Sequence, residues 1–417
     1  MLIHSASQLI TLAGSAQRGR ELGRLGIIPN GAVLIRDELI VETGTTLALL
    51  NRYPDEERLD ADGKAVLPGF VDAHTHLVWA GDRALEFEMR LQGKSYMEIM
   101  AAGGGIASTV KATFGAEHEA LLHQTRERAK TMFAHGTTTA EAKTGYGLEL
   151  KTELAQMEVL LQLDHEGPLE IAPTFLAAHA IPAEYAGNED AYTQLICVEM
   201  LPALKEWWSR KGADRPLPFV DVFCEKGAFS LDQTRQILAA AKALGFPLKA
   251  HVDEFENLGG AALACELGAA SVDHAVNTSA AEIQKLGSSN TAVVSLPCTP
   301  FGLAEAHYSP AKELLAADAI LALATDLNPG TAWCESMQFV MALACRAMKL
   351  TPAQALAAST INAAYAIGRD HRIGSLEAGK QADLLILSVE DYRHLAYRFG
   401  GNLVSTVIKK GEVFPIP

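Results

Sequence analysis

The stretch Pro68-Gly-Phe-Val-Asp-Ala-His74-Thr-His76 is an apolar run that closes on two histidines at i and i+2. Side chains alternate faces along an extended strand, so His74 and His76 leave it on the same side, a spacing that suits two ligands on one metal ion. Such a pair alone is weak evidence. Its weight depends on where the other metal-competent residues fall.

Working outward, apolar strand-like runs occupy residues 65–73, 137–142, 170–177, 219–224, 247–250, 270–272, 292–296 and 320–324. Segments of helical spacing lie between them, as in 117–135, 152–165, 231–244 and 259–267, and a last one, 351–367, follows the eighth run. Continuous apolar strands alternating with helices mark parallel strands buried on both faces. Eight such units predict an α/β chain closed into a (β/α)8, TIM-like barrel. Residues 1–65 read instead as short strands and turns, and so do 382–388 and 404–414, with Gly411 marking a turn. We expect the chain ends to meet in a small β-sandwich built from 1–65 and 371–417, around a metal-dependent barrel at 66–370.

The bulk numbers remove several function classes. The 417 residues are 49% hydrophobic and 20% charged, enough apolar surface for a sizeable core. The net charge is −15 with scattered basic residues, against nucleic-acid binding, which needs a Lys/Arg face to displace counterions. No run of 18 apolar residues offers a membrane span. Residues 1–16 lack a basic leader, and Ser5, Ser7, Gln8 and Thr11 interrupt them, so they read as a first strand rather than a signal peptide. The six cysteines contain no CxxC pair and read as reduced thiols. These features predict a cytoplasmic protein with a small-molecule substrate.

Metal-competent residues recur after the expected strands, where barrel enzymes place their active sites. His251-Val-Asp-Glu254 follows the fifth, Ser271-Val-Asp-His274 the sixth, and Ala324-Thr-Asp326-Leu-Asn328-Pro-Gly330-Thr331 the eighth. Of 13 histidines, His74, His76, His179, His251 and His274 all sit at strand ends. Three histidines and one aspartate fit zinc and also tolerate iron or manganese. Such an ion acidifies a water molecule and polarises a substrate carbonyl. Glu254 is then the candidate general base, against the reading of a surface carboxylate. His274 is placed to stabilise an oxyanion, against a structural histidine bonded to backbone. Arg83 could present its planar fork to a substrate carboxylate, but reads equally as a surface arginine. Tyr146, between Gly145 and Gly147, could reach a pocket or simply belong to a turn. Gly103-Gly-Gly105 follows no strand and lacks a following Lys-Ser/Thr, so it reads as a mobile loop rather than a phosphate cradle. His135 reads as a helix C-cap. Lys226 is offset behind Glu225 and does not suit a metal-bridging lysine, which favours a single ion.

These strings carry a resemblance. Asp72-Ala-His-Thr-His-Leu77, Gly103-Gly-Gly-Ile106, Lys143-Thr-Gly-Tyr-Gly-Leu148, Thr174-Phe-Leu-Ala-Ala-His179, Asp221-Val-Phe-Cys-Glu225, His251-Val-Asp-Glu-Phe255 and Ala324-Thr-Asp-Leu-Asn-Pro-Gly330 span nearly the whole chain. The chain resembles the amidohydrolase superfamily and, within it, the imidazolonepropionase family. The resemblance implies metal ligands at His74, His76, His251 and Asp326. It implies substrate contacts at Arg83, Tyr146, His179, Glu254, Asn328, Gly330 and Thr331. It also implies hydrolysis of 4-imidazolone-5-propanoate to N-formimidoyl-L-glutamate, one zinc or iron ion per subunit, and a homodimer. A propionate carboxylate on the substrate would explain Arg83 and Tyr146. Two places depart from the family pattern: Thr144 stands for a usual Ser, and Leu296-Pro-Cys-Thr-Pro300 for a usual Gly-containing stretch.

The expected mechanism has Glu254 take a proton from the attacking water and His274 stabilise the carbonyl oxygen, with Asp326 or Glu254 returning the proton to the leaving nitrogen. The rival readings are an amidohydrolase-type deaminase of another nitrogen heterocycle, which would release ammonia, and a catalytically silent binding barrel, which would normally have lost ligands.

Overall fold

The computed structural model describes residues 1–94, 98 and 104–416, so Gly103 of the triple-glycine stretch lies outside the described residues. The strands, in chain order, are β1 (Leu2–Ile10), β2 (Ile27–Arg36), β3 (Leu39–Thr45), β4 (Arg58–Asp60), β5 (Val66–Pro68), β6 (Phe70–Asp72), β7 (Thr137–Lys143), β8 (Glu170–Ala178), β9 (Phe219–Cys224), β10 (Lys249–Val252), β11 (Ser271–His274), β12 (Ala292–Ser295), β13 (Leu321–Leu323), β14 (Leu384–Leu387), β15 (Val404–Lys409) and β16 (Glu412–Pro415).

Strands β6 to β13 pair with their neighbours in sequence order, and every pairing is parallel. This is the expected eight-stranded barrel. Its seam lies just beyond β6 and β13, where Thr75 bridges Leu327, His76 N donates to Leu327 O at 2.9 Å, and Asp326 N donates to His74 O at 3.1 Å. The bonds that close the barrel therefore pass through the residues singled out as metal ligands. Helices return the chain over the outside, and several begin at capping boxes, as at Ser230 with Gln233 and Ser279 with Glu282, where side chains satisfy the orphan N–H groups of the first turn.

Two sequence expectations are revised. The run 65–73, read as one barrel strand, is divided: Val66–Pro68 pairs with β1 and β14, and only Phe70–Asp72 enters the barrel beside β7. Gly69 is the crossing point, because a Cβ there would lie 2.3 Å from Thr138 Oγ1, and no other residue lets β7 approach so closely. Segment 351–367, read as one helix, is two, Pro352–Ala358 and Ile361–Ala366. The Ser359 carbonyl is drawn aside to accept from Val71 N of β6, and Thr360 leaves the helical region at φ −133°, ψ −94°.

The chain ends do meet. The remaining strands form one eight-stranded mixed sheet in the order β16-β15-β14-β5-β1-β2-β3, with β4 also on β1. Ile3, Leu9, Val33, Val66, Leu384 and Ile408 form its buried core. An ion cluster ties it to the barrel: Glu170 of β8 contacts Arg369 at 2.7 Å and Lys409 of β15 at 3.2 Å, and Lys409 also reaches Asp383 at 2.8 Å. All six cysteines are free, and no described helix is long and apolar enough to cross a membrane.

Candidate active site

His74, His76, His251, His274 and Asp326 converge at the C-terminal mouth of the barrel, each almost fully buried. The His74 Nε2 to Asp326 Oδ1 separation is 3.3 Å, His76 Nε2 to Asp326 Oδ1 is 3.6 Å, and His76 Nε2 to His251 Nε2 is 3.4 Å. A tetrahedral ion with bonds of about 2.0–2.1 Å holds its ligands roughly 3.3–3.4 Å apart, so these donors fit one metal ion. His74 Nε2 and Asp326 Oδ1 are buried without a hydrogen-bond partner in the protein, as expected of atoms aimed at a cation. Among the described residues, two overlapping triads satisfy metal-binding geometry, His74–His76–Asp326 and His74–His251–His274, and both contain His74.

The electrostatics keep three of these imidazoles neutral. Burial holds His74, His76 and His274 well below the usual imidazole range, and neighbouring imidazoles and Lys143 add to it. Burial likewise lowers His179 to about 3, with His251 contributing. Burial raises Asp326 to about 6, and it raises Glu254 well above the ordinary carboxylate range, where the neighbouring Asp326 charge adds to it.

Three of the four expected ligands are braced, and the fourth, His76, has its Nδ1 buried without a partner. His74 Nδ1 lies 2.6 Å from Asp273 Oδ2, and His251 Nδ1 lies 3.1 Å from Asp221 Oδ1. Carboxylates accept, so both Nδ1 atoms donate and both Nε2 lone pairs face the site. Asp326 Oδ2 accepts from the Thr299 hydroxyl, and its carbonyl accepts from Asn328 Nδ2 at 2.7 Å. Thr299 lies in a short helix, Cys298–Gly302, that follows β12. His274 (φ +75°) and Asp326 (φ +54°) both hold left-handed backbone, costing on the order of 1–2 kcal/mol each. The barrel-closing bond from Asp326 N to His74 O offsets part of that cost at Asp326.

The other expected residues surround this cluster unequally. Glu254 Oε2 lies 3.5 Å from His274 Nε2. His179 stacks on His76 with centroids 4.8 Å apart, and its Nδ1 donates to Gly145 O at 3.0 Å, leaving Nε2 free to face the pocket. The Tyr146 ring is 5.9 Å from His76 and 5.4 Å from His179. Arg83 pairs with Glu86 at 2.7 Å and lies against Gly330, where a Cβ would meet Arg83 Nη1 at 2.2 Å. Asn328 is occupied in its own loop: its Oδ1 accepts from Gly330 N and Thr331 N, both at 2.8 Å, and its Nδ2 reaches Thr331 Oγ1 at 2.9 Å. Lys226 is exposed and paired with Glu256 at 2.6 Å, away from the ligands. His135 caps its helix, with Nδ1 2.9 Å from Thr131 O. A cavity of about 920 Å³ opens at the opposite, N-terminal end of the barrel, lined by Glu170, Arg369 and Lys409 among others. It touches none of these residues, and the chemistry-bearing groups lie with the histidines.

The sequence profile of the amidohydrolase family matches residues 65–414. The imidazolonepropionase of Herpetosiphon aurantiacus is 51% identical over 412 residues, covering 99% of this chain and 96% of that protein. The imidazolonepropionase of Chloroflexus aggregans is 49% identical over 417 residues, covering 99% and 98%. The chain belongs to the imidazolonepropionase family of amidohydrolases. Among solved structures, a zinc-bound adenosine deaminase from Xanthomonas campestris superposes with a TM-score of 0.73 at 20% identity, covering 99% of this chain and 92% of that one, a likeness of fold.

In this member of the imidazolonepropionase family, sequence reasoning missed the bracing groups: Glu141, Lys143, Asp221, Asp273 and Thr299. A signal was available, since Glu141 and Lys143 are charged residues at period two in a strand otherwise made of Thr and Ala. Two charges pointing to one face of a fully buried strand must find partners there. Lys143 Nζ lies 2.7 Å from Glu141 Oε1, 2.9 Å from Asp221 Oδ2 and 3.6 Å from Asp273 Oδ2. Burial opposes its charge, but the three carboxylates outweigh burial and raise its pKa.

Proposed function

We propose that this chain hydrolyses the ring C–N bond of 4-imidazolone-5-propanoate to N-formimidoyl-L-glutamate, the third step in degrading histidine to glutamate. His74, His76, His251 and Asp326 would hold one zinc or iron ion. The observation that carries this reading is the meeting of His74 Nε2 and Asp326 Oδ1, both buried and unpartnered, with His76 Nε2 3.6 Å from that oxygen and 3.4 Å from His251 Nε2. When bound, the ion supplies Lewis acidity, polarising a carbonyl oxygen and acidifying water.

The side chains perform the rest. Glu254, made basic by burial beside Asp326, takes the proton of the attacking water, and His274 beside it orients that carboxylate. His274, neutral, has an N–H to offer the carbonyl oxygen as it gains negative charge. Glu254 then returns its proton to the departing ring nitrogen, and Asp326 is the other carboxylate within reach. Arg83 and Tyr146 receive the propionate at the pocket's far wall, Gly330 leaving room for the guanidinium and Asn328 folding the Gly330–Thr331 loop around it. His179 presents Nε2 to the substrate ring. The active form is a cytoplasmic homodimer, as the family likeness suggests, and light scattering on the eluting protein tests the assembly.

The deciding experiment supplies freshly generated imidazolone propionate to metal-loaded protein and follows formimidoylglutamate. Release of ammonia from another heterocycle, with no formimidoylglutamate formed, would replace this reading with the deaminase one.

A further inference from the structure

We propose that Lys143 is a positioning residue for the metal ligands: its buried ammonium clamps the carboxylates of Asp221 and Asp273, and these fix the ring orientation and tautomer of His251 and His74. The inference rests on the metal-ligand set proposed above.

Lys143 is the last residue of β7, and its side chain crosses the barrel interior to β9 and β11. It is fully buried, with no water-facing surface to relieve its charge. Its partners are spread over three strands, 2.7 Å to Glu141, 2.9 Å to Asp221 and 3.6 Å to Asp273. Two of the three hold a histidine on their remaining lone pairs: Asp273 takes His74 Nδ1 at 2.6 Å, and Asp221 takes His251 Nδ1 at 3.1 Å. The third, Glu141, accepts from the backbone N of Thr75, between His74 and His76, at 3.2 Å. The Lys143 backbone N also donates to Thr75 O at 2.9 Å. One cation thus contacts the carboxylates that support two of the four ligands, and a third carboxylate that holds the backbone between His74 and His76.

Its removal would leave carboxylates facing one another across the barrel core. Like charges at such range in a low-dielectric interior move apart. The imidazoles they hold would turn with them, and orientation of this kind is worth about 10–100-fold in metal affinity. Lys249 also approaches Asp273, at 3.4 Å, but its closest partner is Ser271 Oγ at 2.7 Å, and it reaches no second histidine support.

The test is zinc affinity of the full-length protein, measured by competition with a chromophoric chelator. We expect Lys143→Met, with unchanged circular dichroism, to bind zinc roughly 10–100-fold more weakly than wild type. Lys143→Met should cost less affinity in an Asp273→Asn background than in wild type, because one of the two carboxylates through which Lys143 acts is already altered there. A purely structural lysine would lower the melting temperature and leave the affinity of the folded protein unchanged. That result, or strictly additive losses in the double variant, would overturn the proposal. Should Lys143→Met not accumulate as folded protein, Lys143→Gln, which keeps a donor in similar volume, carries the same expectations. Failure of the wild-type protein to bind zinc or iron would instead overturn the ligand set, and this inference with it.

Discussion

His74 Nε2 and Asp326 Oδ1 face each other across 3.3 Å in the barrel mouth, both buried and neither with a hydrogen-bond partner in the protein. Both atoms carry lone pairs, and a cation between them turns repulsion into two bonds. Metal binding should therefore stabilise the fold. At a free zinc concentration one hundred times its Kd, the gain is about 2.7 kcal/mol, provided the unfolded chain does not bind. Asp326→Ala should abolish this gain, and a thermal melt with and without zinc measures it. A melting temperature that zinc leaves unmoved would refute the ligand set.

Among the described residues Glu254 contacts His274 and no Lys or Arg, and burial raises its proton affinity. Glu254→Gln keeps the shape and removes the base. Turnover should fall by about 10²–10⁴-fold with metal content and KM little changed. Steady-state kinetics beside metal analysis of the same preparation decides it, and unchanged turnover removes Glu254 from the role.

Gly330 faces the Arg83 guanidinium so closely that a methyl group cannot be added without moving it. Arg83→Met should weaken substrate binding by about 1.5–3 kcal/mol, a rise in KM of roughly ten- to more than one hundred-fold, through loss of a charged hydrogen bond to the propionate. Gly330→Ala should raise KM in the same direction with metal affinity intact. A ring analogue lacking the carboxylate should be indifferent to both changes.

Far from the chemistry, Glu170 should make stability depend on pH. Burial alone would raise its pKa, but Lys409 and Arg369 overcome that and bring it down to about 2. A folded-state pKa below the unfolded value contributes stability fully present above about pH 4.5 and lost as pH falls through about 2. The contribution at neutral pH is on the order of 3 kcal/mol. Glu170→Gln, which also leaves buried cations without their carboxylate, should be clearly less stable than wild type at pH 7. Urea denaturation should show that gap shrinking as pH is lowered from 4.5 towards 2.

Much of the site was legible in the chain before any coordinates. His74, His76, His251, His274 and Asp326 could be grouped because barrel topology places the end of every strand at one mouth, so residues distant in sequence are brought together by connectivity. What escaped was the support beneath them. Asp221 sits inside a strand whose other residues are apolar and Asp273 lies between Val272 and His274, and no local pattern says that Asp221 will face His251 on the next strand or that Asp273 will reach His74 across the barrel. Thr299 was hidden for the same reason: its hydroxyl matters only because the helix after β12 turns it towards Asp326.

The sequence alone determined the alternation of strand and helix, the meeting of the two chain ends and the identity of the metal-competent side chains, since each is written in local periodicity and in strings of adjacent residues. Tertiary structure alone decided that residues 65–73 serve two sheets, that segment 351–367 breaks where β6 captures the Ser359 carbonyl, and that Lys143 stands behind two ligands at once. Those outcomes depend on the distances between strands after closure. Packing and long-range pairing set such distances, and no stretch of chain contains them by itself.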